Sequence, residues 1–148
     1  MKTYLINNHC IFNEGKYELK NTTNSQIIKM TAMRAKCLGF IIEHAHTGII
    51  DRRQLSNALW GSRSEFVNDA NLTQIIYLIR KDLKTMGISD LIITIPRQGV
   101  QVNEEISVKV QEPVKKNTLK EVIAKSTKTL FTVAASILLT TTVYFNMH

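Results

Sequence analysis

Asp69-Ala70-Asn71-Leu72-Thr73-Gln74-Ile75-Ile76-Tyr77-Leu78-Ile79-Arg80-Lys81-Asp82-Leu83-Lys84-Thr85-Met86-Gly87 is the stretch from which this 148-residue chain can be read. Leu72, Ile76, Ile79 and Leu83 recur at the spacing of a helix with one face in a core. Gly87 stands just past the last periodic position, where a helix closes in a left-handed C-cap. A helix is therefore expected over about 69–86. Its other face carries Thr73, Gln74, Tyr77, Arg80, Lys81 and Lys84, a polar and basic surface. Downstream, Leu91 to Ile95 is rich in β-branched residues, Pro96-Arg97-Gln98-Gly99 reads as a turn, and Val100 to Val102 returns. The helix is thus followed by a hairpin with a cation at its tip.

Upstream, Asp51 is a good N-cap for a short helix Arg52 to Trp60, with Leu55 and Leu59 on its apolar side. Gly61 to Asn68 is polar and turn-like. A further helix is expected from an N-cap at Thr31, with Met33, Cys37, Leu38, Phe40, Ile41 and Ala45 at helical spacing, ending at His46-Thr47-Gly48. Before it, Tyr4 to Phe12 and Lys16 to Leu19 read as one hairpin turning at Asn13-Glu14-Gly15, and Gln26 to Lys29 as a possible third strand.

The formal charge is +7. Residues 1–110 hold 14 Lys and Arg against 10 Asp and Glu, and residues 111–128 hold 5 against 2. The first excess suits a nucleic-acid partner without demanding one. Cys10 and Cys37 make no disulfide framework. Asn7, Asn8 and His9 interrupt any apolar run at the N-terminus, so no signal peptide is read. His44 and His46 beside Cys37 do not converge as metal ligands, and no cysteine pair has zinc spacing. With no nucleophile–base arrangement and no phosphate-cradling glycine loop, neither a catalytic site nor a cofactor site is expected.

Two helices, a loop, a longer helix and a hairpin make a helix-turn-helix with a wing. A helix fits the major groove, and a hairpin beside it can place a cation in the minor groove. Five motifs then occur in order: Ile50-Asp51-Arg52-Arg53-Gln54-Leu55, Leu59-Trp60-Gly61, Asn71-Leu72-Thr73-Gln74-Ile75-Ile76, Ile79-Arg80-Lys81-Asp82-Leu83 and Thr94-Ile95-Pro96-Arg97-Gln98-Gly99. Together they resemble the OmpR/PhoB-type winged helix over roughly residues 3–103, most closely its ToxR/CadC-like membrane-anchored branch. The resemblance implies an α+β fold: an N-terminal four-stranded sheet, three helices and a C-terminal β-hairpin wing. It implies DNA-binding roles for Arg52 and Trp60 at the phosphate backbone and for Thr73, Gln74 and Tyr77 in the groove. Arg80 matches a phosphate or groove contact, and Arg97 the wing cation. Lys81 and Lys84 join them as basic residues of the same helix face. The 61–68 loop matches one that often faces RNA polymerase in the family.

Three departures bear on this. Leu78 stands where a base-reading arginine is usual and offers a thymine methyl only apolar contact. Val100 replaces an aromatic after the wing glycine, and Arg34 replaces a glutamate three residues after Thr31. A second reading therefore stays open, a DNA-silent module that binds another membrane regulator or RNA polymerase.

Thr129 to Met147 is nineteen residues without a charge, preceded by Lys115, Lys116, Lys120, Lys125 and Lys128. As a helix it would reach about 28 Å, roughly one bilayer core. The positive-inside rule keeps the first 128 residues in the cytoplasm. The expected organisation is a winged-helix domain over 1–104, a basic juxtamembrane linker over 105–127 and a transmembrane helix over 128–147, in a bacterial inner membrane with the C-terminus outside. Thr118-Leu119-Lys120-Glu121 has the pattern of a capping box, from which a helix could run into the membrane. Almost nothing is left to project outward, so the signal is expected from a membrane partner, from expression level or from the span itself. Thr132, Ser136 and Thr140 share one face of the span. That face suits a homodimer or a membrane-protein partner, or bonds back to its own helix. The lysines suit anionic membrane lipid.

Overall fold

A computed structural model describes residues 1–65 and 69–112. The expected linker beyond residue 112, the transmembrane helix over 128–147 and its Thr132/Ser136/Thr140 face lie outside the described residues. Among those described, no helix is long and apolar enough to cross a membrane.

The chain runs β1 (Thr3–Ile6), β2 (Cys10–Asn13), β3 (Glu18–Asn21), β4 (Ile27–Lys29), α1 (Ala32–Glu43), β5 (Ile50–Asp51), α2 (Arg52–Trp60), α3 (Asp69–Thr85), β6 (Ile92–Ile95), β7 (Gly99–Val102) and β8 (Val108–Gln111). This is the α+β winged helix that the motifs imply, with three α-helices among the described residues. Thr31 caps α1 by accepting from the Arg34 amide, and Asp51 caps α2 by accepting from the Arg53 amide. At the end of α3, the Ile88 N–H bonds to Leu83 O at 2.9 Å and the Gly87 N–H to Lys84 O at 3.0 Å, with Gly87 at φ +79. These are the paired bonds of a Schellman cap, and Ile88 buries itself beside Leu83 as that motif favours.

The N-terminal sheet departs from expectation at both ends. Tyr4 to Phe12 is two strands rather than one. Asn7 and Asn8 take φ of +50 and +60, and the His9 N–H donates to Ile6 O at 3.3 Å, so the chain reverses there. Asparagine accepts the left-handed region at little cost, which makes this pair a turn signal. Alternation of Tyr4 and Ile6 with Cys10 and Phe12 hides the break, because all four face the core. At the other end the sheet has five strands, ordered β4-β3-β2-β1-β8. β8 pairs antiparallel with β1, placing Thr3 opposite Gln111 and Ile6 opposite Val108. The folded unit therefore passes the boundary drawn at residue 104 and takes in the start of the segment read as linker; its compact part runs to Glu112.

The second sheet has the order β5-β7-β6. β6 and β7 form the expected hairpin, and Ile50-Asp51 adds a short strand opposite Val100 and Gly99. Gly99 is required there. A Cβ on it would lie 1.9 Å from the Ile50 carbonyl oxygen, which is backbone and has nowhere to move. One core joins both sheets to the helices through Phe12, Leu19, Leu38, Ile41, Ile50, Leu55, Leu72, Ile79 and Leu83. Truncating any of these to alanine costs about 2–5 kcal/mol. Val100, in place of the usual aromatic, is fully buried in it. The core holds α3 against α1 and against the wing sheet, which fixes the platform described next.

Candidate nucleic-acid interface

The core stripe of α3 is Leu72, Ile76, Ile79 and Leu83, as the periodicity requires. The opposite face leaves Thr73, Gln74, Tyr77, Lys81 and Lys84 exposed. Tyr77 is 58% exposed, one of few large apolar surfaces left in water among the described residues. Its ring offers apolar contact and its hydroxyl a polar one. Leu78 is half-buried at the margin of this face.

Arg97 is exposed at the tip of the β6–β7 hairpin with φ +63. Pro96 presets the first corner of the turn, and the Gln98 N–H closes it on Ile95 O at 3.1 Å. Arg97 occupies the corner that ordinarily takes glycine or asparagine. An arginine held there costs about 1–2 kcal/mol.

The two other arginines assigned to DNA are engaged within the domain. Arg52 donates from Nε to Asp69 Oδ1 at 2.8 Å, and from Nη2 to the Asp69 carbonyl at 3.2 Å and to Thr73 Oγ1 at 2.7 Å. It thereby clamps the start of α2 to the first turn of α3. Asp69 also suits the positive end of the α3 dipole. Thr73 passes its own hydroxyl proton to the Asp69 carbonyl, so this groove-side hydroxyl is already bonded twice. Arg80 turns its guanidinium onto β6: Nε and Nη2 donate to Ile92 O at 3.3 and 3.1 Å, and Nη2 also reaches Thr94 Oγ1. Trp60 is half-buried against the core at the end of α2. Beyond it Gly61, at φ +57, turns the chain into the 61–68 loop, of which 61–65 are described. An open polar cleft lies between α2 and that loop, lined by Arg53, Ser56, Asn57, Ser62 and Ser64 among others.

Two ties that orient α3 reach partners outside the motifs. Arg34 reaches Asp82 at 2.6 Å, joining α1 to α3, with both side chains largely buried. Burial raises the Asp82 carboxyl above its ordinary range, and the facing Arg34 opposes that without cancelling it. The arginine that replaces the usual glutamate after Thr31 thus has a partner of its own. His9 sets Nε2 3.0 Å from Met86 O and Nδ1 2.9 Å from Asn7 O, joining the β1–β2 turn to the end of α3. Basic residues at a helix N-terminus and a lone histidine are weak signals without their partners 48 and 77 positions away. His44 stacks on Phe40 with ring centroids 4.0 Å apart and bonds the Phe40 carbonyl. That is a packing role.

A family model described as "Transcriptional regulatory protein, C terminal" matches residues 24–102. The chain belongs to this family. Its domain is an OmpR/PhoB-type winged helix, a DNA-binding domain of transcription regulators and not of enzymes. The winged helix is similar in fold to the DNA-binding domain of E. coli CadC: the TM-score is 0.58 at 17% identity, over 72% of this chain and 98% of that one. It is also similar to the DNA-binding domain of the response regulator AdeR, solved in complex with an intercistronic region. There the TM-score is 0.54 at 18% identity, over 65% of this chain and 95% of that one. No curated protein matches the chain. The double-stranded DNA partner follows from the family.

Proposed function

We propose that this chain is a membrane-anchored bacterial transcription regulator in which α3 enters the major groove of promoter DNA and Arg97 enters the adjoining minor groove. The observation that carries the reading is the pairing, in one compact unit, of an open α3 face with an arginine held at a costly backbone angle on the wing tip. Gln74 and Tyr77 face the base edges, with Leu78 beside them for a thymine methyl. Thr73 shares that groove side, while Lys81, Lys84, Arg52 and Trp60 are assigned to the phosphate backbone. One small domain makes few contacts, so two copies on adjacent half-sites supply useful specificity.

The uncharged run Thr129–Met147 behind its lysines supports a single span in the inner membrane, domains as expected beyond residue 112, with the winged helix cytoplasmic and the C-terminus outside. Anionic lipid attracts the lysines. Pairing through the Thr132/Ser136/Thr140 face, or with a membrane partner, raises the local concentration of the second copy. The 61–68 loop is the surface offered to RNA polymerase.

A second reading, the DNA-silent interaction module, draws support from Leu78 and from the inward engagement of Arg52 and Arg80. Crosslinking the tagged full-length protein to DNA in its own cells, with sequencing of the recovered fragments, decides between them. Discrete peaks that disappear in an Arg97→Ala, Tyr77→Ala control are expected. Membrane-resident protein with no enrichment over that control would leave the interaction module as the function.

A further inference from the structure

Arg80 lies at the border of α3, between the buried stripe and the open face. Three of its hydrogen bonds go to the wing strand: two to the Ile92 carbonyl and one to the Thr94 hydroxyl. β6 is the outer strand of its sheet, with β7 on one side only. Its covalent link to α3 is the chain over Met86–Leu91, and Arg80 adds a side-chain bond from the helix to the strand. Thr94 stands opposite Val100, and Ile95 opposite Gly99 at the base of the turn that carries Arg97. A guanidinium suits such a post, because its planar fork meets a carbonyl and a hydroxyl in fixed directions while an ammonium does not.

We infer that Arg80 is a positioning residue: it bolts the wing strand to α3 and so fixes where Arg97 lands relative to Gln74 and Tyr77. This rests on the DNA reading above, and it replaces a phosphate contact for Arg80 with an internal strut. The strut sets the offset between major-groove and minor-groove contacts, a term in specificity that no base contact of Arg80 supplies.

The test uses full-length protein in detergent, with Arg80→Met, Arg80→Lys and Thr94→Val, in two arms. In the first, without DNA, hydrogen exchange is followed at the β6 and β7 amides. All three variants are expected to speed exchange there while the β1–β3 amides stay slow. Unchanged exchange at the wing in Arg80→Met overturns the proposal whatever the DNA arm shows. In the second, hydroxyl-radical footprints are taken on a fragment recovered by the crosslinking. Arg80→Lys, which keeps the charge, is expected to lose the minor-groove protection as Arg80→Met does. Arg97→Ala, costing the wild type about tenfold in affinity, should cost Arg80→Met less than about twofold, because a misplaced wing has little left to lose. Full rescue by lysine, with additive losses, would restore Arg80 to the phosphates and overturn the strut. Absence of any wild-type footprint would sink the DNA reading and leave the exchange arm to decide the strut by itself. Thr94→Val, a small change at an exposed site, covers the case in which Arg80→Met fails to fold.

Discussion

Arg97 separates stability from function within one residue. Its φ of +63 suits glycine, so Arg97→Gly relieves backbone strain while it removes the wing cation. Relief of about 1–2 kcal/mol outweighs the entropy that a glycine adds to the unfolded chain, about 0.5–1 kcal/mol. Urea unfolding should therefore show a domain about 0.5 kcal/mol more stable, and fluorescence anisotropy a weaker DNA complex; a destabilised variant would show that the turn needs the arginine for folding. The cysteines make a prediction of the opposite kind. Burial pushes Cys10 up to about 11 and Cys37 to about 12 from 9.0. With folded values above the unfolded one, their contribution to stability is fully present below pH 9 and is lost as the pH climbs towards 11 and 12. At pH 8 both thiols should resist an alkylating reagent until the domain unfolds, so labelling rates should rise with urea in step with unfolding. Fast labelling of the native protein would place one of them at the surface.

At the scale of elements, what the sequence made legible and what it hid divide along one physical line. Helices declare themselves locally: caps at Thr31 and Asp51, the stripe Leu72 to Leu83 and the glycine past the last turn are each set by neighbours in sequence. Pairing between distant strands does not. Val108-Lys109-Val110-Gln111 is too short to announce itself, and only the free edge of β1, some hundred residues earlier, makes it a strand. The same holds for the candidate site. The open face of α3 and the wing cation were readable, whereas the inward commitment of Arg52 and Arg80 depends on Asp69, Thr73, Ile92 and Thr94 being brought to them. β8 yields a direct test. A chain ended after residue 104 loses that strand along with Ile106 and Val108, which pack on the core. It should unfold about 2 kcal/mol more easily than one ended after residue 112; equal midpoints in urea would reduce β8 to an ornament.

For the molecule as a whole, charge governs how strongly it binds and shape governs where. If Lys81, Lys84 and Arg97 each displace one counterion from the duplex, Arg52 being already paired with Asp69, a plot of log affinity against log salt should fall with a slope of about −3. Substituting Lys84 by alanine should flatten that slope by about one and leave the preferred sequence unchanged. A slope near zero would mean that the basic surface is not where DNA sits.

One consequence of the β1–β8 pairing concerns how such a unit is carried. With Thr3 opposite Gln111, the polypeptide enters and leaves through a single doorway at the edge of one sheet, while the wing belongs to the other sheet. The unit is thus closed like a loop on a stalk, and a host protein could accept it between two adjacent surface residues with neither strand pulled out of register. Evolution could move such a cassette from one bearer to another and leave its reading head unchanged.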